Sequence, residues 1–280
     1  MVTIHRDITL GRRIRQTALE GMTINEVVYP AGCRFEPHAH QHANISILLA
    51  GSFQERAGSA ATVCRTCSVV FKPPLTEHGN EVGRTGARSL IIEIQRERFE
   101  ALCQWSETLK RYAWMHTGPV PELMLRVYRE FRLGDDLSAA SLEQLLIEVL
   151  ATDLAVTSGP AIDTRPPWFR RVMQRLGDCD AAPPPPVSDL AAEAGVHPVY
   201  LARAFRRHHR CTIAQFVRRR RLERALHELS STRRSLAEIA IGTGFADQSH
   251  FSRAFKAHAG LTPGQFRRLA RVPAIPAIPA

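Results

Sequence analysis

The chain has 280 residues, enough for two domains, and a soluble globular composition of 44% hydrophobic and 23% charged residues. Its net charge of +10 is unevenly placed: residues 1–164 hold 17 Lys+Arg against 19 Asp+Glu, whereas residues 165–280 hold 20 against 8. The sequence has neither a membrane-length apolar run nor, in residues 1–16, the apolar core of a signal peptide, so a cytoplasmic protein without a membrane partner is expected, its six Cys (33, 64, 67, 103, 179, 211) mostly free thiols.

Residues 1–95 read as β-structure. TINEVVYPAG, NISILLAGSF, SVVFKP and RSLIIEI are short, rich in Val and Ile, and bounded by Gly, Pro, Asn or charge. Strands at this spacing predict a barrel or jelly roll. Among them stand Gly32, His38, His40, Asn44 and Gly51, then Pro73 and His78. Alternate residues of a strand share a face, so His38 and His40 point the same way, with Asn44 and Ser46 on that parity. Ile45, Ile47 and Leu49 take the other parity, which suits packing against a second sheet.

The first five of these residues resemble the first cupin motif, with Asn44 in place of its acid. A second motif resembles its partner, with Cys67 and Leu75 where two glycines stand and with Pro73 and His78 retained. The resemblance implies a cupin-like sensor barrel over 1–95 that gathers His38, His40 and His78. Imidazoles suit Zn²⁺ or another divalent metal, although Asn44 brings no charge. The same side chains could instead hydrogen-bond within the barrel mouth or to an organic ligand. Cys64-Arg65-Thr66-Cys67 is a lone CxxC, without the second pair a structural zinc needs. A loop pair beside a barrel strand fits it better than redox sensing.

From 96 to 157 the pattern turns helical, in RERFEALCQWSETLKRYAWM, PELMLRVYREFRL and SLEQLLIEVLATDLAV. These helices either pack on their own barrel or dimerise the chain. Residues 158–167 read as a linker. Trp168, Val172 and Leu176 form the apolar stripe of the next helix, and Pro183–Pro186 an extended connection.

The basic half contains an internal repeat. LAAEAGVHPVYLARAFRRHHRCTIAQFVR, from Leu190, parallels Ile239 to Arg267 about fifty residues on, with one residue fewer in the turn. Gly195 matches Gly244, Leu201 matches Phe251, Arg203 matches Arg253 and Phe205 matches Phe255. Ser188 and the Ser235–Glu238 capping box are the expected starts of the two leading helices. His197-Pro198 and Asp247 are the expected starts of the two second helices. IAQFVRRRRLERALHELSS predicts a helix joining the units; one or two of Arg218–Arg221 would reach phosphate. Residues 272–280 are Pro-rich and read as a disordered tail. Two helices and a turn also make an ordinary solvated hairpin, so this geometry alone does not require DNA.

GFADQSHFSRAFKAHAGLTPGQFRR, with Ile239 and Ala240 before it, is similar to the signature of the AraC/XylS family of transcription regulators. The resemblance implies an α+β protein of two domains: the barrel with its following helices, then an all-α DNA-binding domain over 168–271 with helix-turn-helix units at about 188–209 and 235–258. The base-reading positions it implies are Val199, Ala202 and Arg203 in one helix and Gln248, Ser249, His250 and Arg253 in the other. The implied partners are double-stranded DNA, a small-molecule effector at His38, His40, Asn44 and His78, a second copy of the chain, and RNA polymerase if the protein activates. No catalytic residue is implied. A cupin metalloenzyme fused to a DNA-binding module and a ligand-independent DNA binder are the rival readings.

Overall fold

Two long strands organise the N-terminal half. The computed structural model describes residues 3–5, 11–104, 107–116, 118–134, 138–152, 166–178, 185–209 and 211–270. The first eight strands are β1 (Thr3–His5), β2 (Arg12–Leu19), β3 (Met22–Tyr29), β4 (Arg34–His40), β5 (Ala43–Ala57), β6 (Ala60–Arg65), β7 (Val69–Lys72) and β8 (His78–Ile94). β5 and β8 pair antiparallel, with register breaks between Leu48 and Ala50 and between Gly51 and Phe53. Partners change across the breaks. β5 pairs β7 through Asn44–Ile47 and β6 beyond Gly51; β8 pairs β4 through His78–Glu81 and β3 from Ala87. Each long strand therefore serves two differently directed parts of one bent sheet. The crease is tight: at Gly51 (φ +83°) a Cβ would sit 1.9 Å from the Gly86 carbonyl oxygen.

Alternation sorts the two faces of β5. Asn44, Ser46 and Leu48 line a cavity inside the bend. Ile45, Ile47 and Leu49 are wholly buried on the opposite face. They meet helices rather than the second sheet expected from the sequence, in a core shared with α2 (Pro119–Leu133) and α3 (Ser138–Ala151). The stretch expected to be helical from residue 96 also differs. It holds α1 (Arg96–Cys103) and one 3₁₀ turn, and then returns to the sheet as β9 (Ala113–Met115), paired with β7. Ala113 and Met115 are buried on one face around Trp114, and β7 gains a partner on its open edge.

The remaining helices are α4 (Pro167–Asp178), α5 (Val187–Ala194), α6 (Pro198–His209), α7 (Ile213–Ser231), α8 (Leu236–Gly242), α9 (Gln248–Ala259) and α10 (Pro263–Ala270). They divide between two cores, and α7 belongs to both. Its Ile213 and Val217 join Phe169, Leu190, Leu201 and Phe205. Its Leu222, Ala225, Leu226 and Leu229 join Ile239, Phe251, Phe255 and Phe266, and that core runs on without a break into α2 and the sheet. Polar contacts follow the same seam. Glu26 of β3, fully buried, accepts from Arg88 at 2.7 Å and from Arg132 of α2 at 2.7 Å. The Tyr128 hydroxyl lies 2.9 Å from Glu26 and 3.1 Å from the Leu269 carbonyl of α10. Arg219 of α7 donates to Glu122 of α2 at 2.6 Å. No helix among the described residues is long and apolar enough to cross a membrane. Residues 158–165 and the tail from 271 lie outside the described residues.

Candidate nucleic-acid interface and histidine cluster

The starts of α6 and α9, the second helices of the two repeats, are set locally. Before α9, the Asp247 carboxylate accepts the His250 N–H at 2.7 Å. That backbone bond, with a lesser one from Ser249, holds the carboxyl below its usual range. The Ser235–Glu238 capping box fixes α8 as expected. α6 begins at Pro198, where the missing N–H costs no bond, and the Val199 N–H donates to His197 Nδ1 at 3.3 Å. α5 differs from expectation. It starts at Val187, with Pro186 at the cap, so Ser188 lies inside the helix and its hydroxyl donates to Asp189 instead.

The repeat extends to burial. Residues 199–208 and 249–258 give the same sequence of exposed, buried and half-buried positions. Leu201 and Phe205 are buried in α6, as Phe251 and Phe255 are in α9. Of the base-reading positions inferred from sequence, Val199, Arg203, Gln248, Ser249, His250 and Arg253 are exposed, while Ala202 is half-buried. Arg206, Arg207, Arg218 and Lys256 add exposed positive charge. The arginine run of α7 contributes less to this surface than its composition suggests. Arg219 is tied to Glu122, and Arg221 donates to the Gly244 carbonyl at 2.9 Å, holding the turn before α9.

The second candidate site is the cavity inside the bent sheet. β4 and β8 pair at His38 and His78, and His40 follows two residues on along β4. The three rings are buried, with centroids 4.5–5.1 Å apart. One nitrogen from each lies within 4.8 Å of the others. His38 Nδ1 is 2.7 Å from the Glu36 carbonyl and His78 Nδ1 3.0 Å from the Thr76 carbonyl. Each Nδ1 therefore carries the proton, and Nε2 presents its lone pair. His78 Nε2 is buried and lacks a hydrogen-bond partner. Burial, then the Lys72 charge, pushes the His78 pKa far down, so the imidazole is neutral.

Asn44 lines the same cavity. So do two charged residues that the motif did not point to, Glu55 and Lys72, 2.8 Å apart. Glu55 also accepts from Asn80 at 2.6 Å and from the Tyr112 hydroxyl. The donor set suits a divalent ion: three clustered imidazoles, two of them oriented through their Nδ1 atoms, and an orphaned buried nitrogen on His78 that such an ion would satisfy. Cys64 and Cys67 are both buried, and burial raises both thiols, Cys64 to about 12. Neither carries the thiolate a redox sensor needs. Among the described residues Cys33, Cys64, Cys67, Cys103 and Cys211 form no disulfide.

A helix-turn-helix family model matches residues 190–269. The chain is 32% identical over 154 residues to the HTH-type transcriptional regulator GlxA of Rhizobium meliloti, a match covering 54% of this chain and 47% of that one. It is 36% identical over 78 residues to the regulatory protein SoxS of Salmonella typhimurium, covering 28% of this chain and 73% of that one. The chain thus spans about half of GlxA and most of SoxS. Among solved structures, the AraC-like transcriptional activator CuxR aligns over 76% of this chain and 80% of that one, at 15% identity and a TM-score of 0.43. With 73% of SoxS matched at 36% identity and the helix-turn-helix model spanning both repeats, the chain belongs to the AraC/XylS family of helix-turn-helix transcription regulators, and it carries a β-rich domain ahead of the helical one.

Proposed function

We propose that this protein is a sequence-specific DNA-binding regulator in which residues 168–271 read DNA and the N-terminal cavity senses an effector. The observation that carries the reading is the paired exposure of Arg203 and Arg253, at equivalent places on two helices with the same burial pattern. Each helix enters a major groove by its N-terminal end, on one face of the duplex. Arg203 and Arg253 read guanine through bidentate bonds; Gln248, Ser249 and His250 supply further hydrogen bonds, and Val199 meets a thymine methyl. Ala202 stands at the edge of this surface. Arg206, Arg207, Arg218 and Lys256 hold phosphates. The test is a binding titration of the full chain against duplex DNA over a range of salt. Affinity falls linearly on log–log axes, because phosphate contacts release counterions. Salt-independent binding, or none, would overturn the proposal.

A second reading concerns the cavity. The orphaned His78 Nε2 favours a bound group, and His38, His40 and His78 would hold a divalent ion that acts as effector or organises one. Asn44 brings no charge to the set, and Glu55 is engaged by Lys72, Asn80 and Tyr112, which weighs against a metalloenzyme. A ligand-independent DNA binder is the remaining alternative. Helices between 96 and 157 would join two copies of the chain, and RNA polymerase is a partner if the protein activates.

A further inference from the structure

The DNA-reading set inferred from the sequence is asymmetric. It includes His250 in the second unit and omits the residue fifty positions earlier, Tyr200. The structure places that tyrosine on the outward face. With Leu201 and Phe205 as the inward pair, helical geometry points the opposite direction at Arg203. Tyr200 lies about 60° to one side of that direction and Val199 about 40° to the other, whereas Ala202 lies about 100° away. Exposure agrees: Val199 is 52% and Tyr200 54% exposed, among the large apolar side chains left open to solvent.

Tyr200 is also held in place. Its ring centroid is 5.8 Å from that of Trp168 of α4, and Trp168 in turn lies 5.6 Å from the buried Phe169. A ring steadied in this way loses less freedom on contact than a free side chain would. Arg203, one turn on, and Arg206 and Arg207 in the last turn of α6 are all exposed and give the helix a positive outward surface that draws it toward phosphate. Within that basic surface, Val199 and Tyr200 form a small apolar step ending in a hydroxyl that both donates and accepts. Thymine offers the matching groups, a 5-methyl and an O4 acceptor on one major-groove edge.

Resting on the DNA-binding reading above, we propose that Tyr200 is a specificity-determining residue of the first unit, reading a thymine beside the guanine contacted by Arg203. Its ring and the Val199 methyls flank the thymine methyl, and its hydroxyl donates to the base edge.

The test uses the full chain and duplexes enriched from a random pool. Tyr200→Ala weakens the selected operator about tenfold, leaves affinity for unrelated DNA unchanged, and erases one thymine preference next to the position that Arg203→Ala erases. Replacing that thymine with uracil, which lacks the methyl, weakens the wild type and Tyr200→Phe but not Tyr200→Ala. Tyr200→Phe keeps the contact with Trp168 and guards against a folding defect. If Tyr200→Ala keeps the motif and the affinity while Arg203→Ala loses its position, Tyr200 does not read DNA, though the first unit does. If neither variant changes the motif, reading by α6 fails as well. Equal loss on operator and unrelated DNA would make Tyr200 a structural prop for Trp168 and overturn the proposal.

Discussion

Gly32 (φ +72°), Gly51 (+83°), Cys67 (+72°) and Leu75 (+58°) are among the positions of the N-terminal half with a left-handed backbone. They are the four glycine positions of the two worn motifs. Among the described residues, Cys67 and Leu75 are the only non-glycines with positive φ. The turns thus persist without their glycines, held by Cys67 N–H to the Leu48 carbonyl at 2.7 Å and Leu75 N–H to the His40 carbonyl at 2.8 Å. Strain at such a position costs roughly 1–2 kcal/mol, and a glycine gives back roughly half of that through its freer unfolded state. Leu75 is 62% exposed and loses little contact when truncated. Leu75→Gly should therefore stabilise by about 0.5 kcal/mol in urea unfolding. Gly51→Ala should destabilise strongly, because its methyl would meet the Gly86 carbonyl at 1.9 Å. The same logic limits what the sequence could disclose about the cavity. Strand parity gave His38 and His40, and motif spacing gave His78. Glu55 arrives from a position beyond the register breaks of β5, and Lys72 from the end of β7 opposite Asn44, and no motif spacing marks either. If the cavity takes a divalent ion, Zn²⁺ raises the melting temperature of the wild type but not of the His38→Ala, His40→Ala double variant. Equal shifts in both would place the ion elsewhere.

At the scale of elements, α7 departs furthest from its sequence. One or two of its four consecutive arginines were expected to reach phosphate and the rest to be solvated, yet two of the four are tied to neighbouring elements. Arg219 reaches α2, and Arg221 holds the turn before α9. Arg219→Ala should cost about 1 kcal/mol of stability and leave DNA affinity unchanged, since its ion pair is partly exposed. Arg218→Ala should weaken operator and unrelated DNA alike. On the same helix, burial raises the Glu223 carboxyl to about 8, against the lowering effect of Arg219 and Arg220. Its folded pKa lies above the unfolded one, so the folded state holds the proton more tightly. The contribution to stability is then full at pH 4 and lost as pH rises toward 8. Glu223→Gln should flatten that decline, read as melting temperature at pH 5 and pH 8; an unchanged slope would assign it to another group. The recognition helices, by contrast, were legible almost to the residue. A period of 3.6 with large aromatics inward determines which positions remain outside, and the caps are local.

Across the whole molecule, the charge division and the repeat mark out the basic half of the chain, and the structure joins its second unit to the sheet. Tyr128 meets Leu269 across 141 residues of sequence, and Arg132 meets Glu26 across 106. No periodicity reports a contact between elements so far apart, which is why this seam was not legible. Glu26→Gln leaves two arginines facing a neutral group in a buried site, and should destabilise the full chain by about 3 kcal/mol. A loss below about 1 kcal/mol in denaturant unfolding would mean that the seam is supported by apolar contact alone. The central claim, that two equivalent helices each read one groove, has a direct measurement: selection of bound duplexes from a random pool by the full chain, its Arg203→Ala variant and its Arg253→Ala variant. The wild type should recover a motif of two parts about one helical turn apart, and each variant should lose base preference in a different part only. A motif with a single part, or the same uniform loss from both variants, would contradict the account.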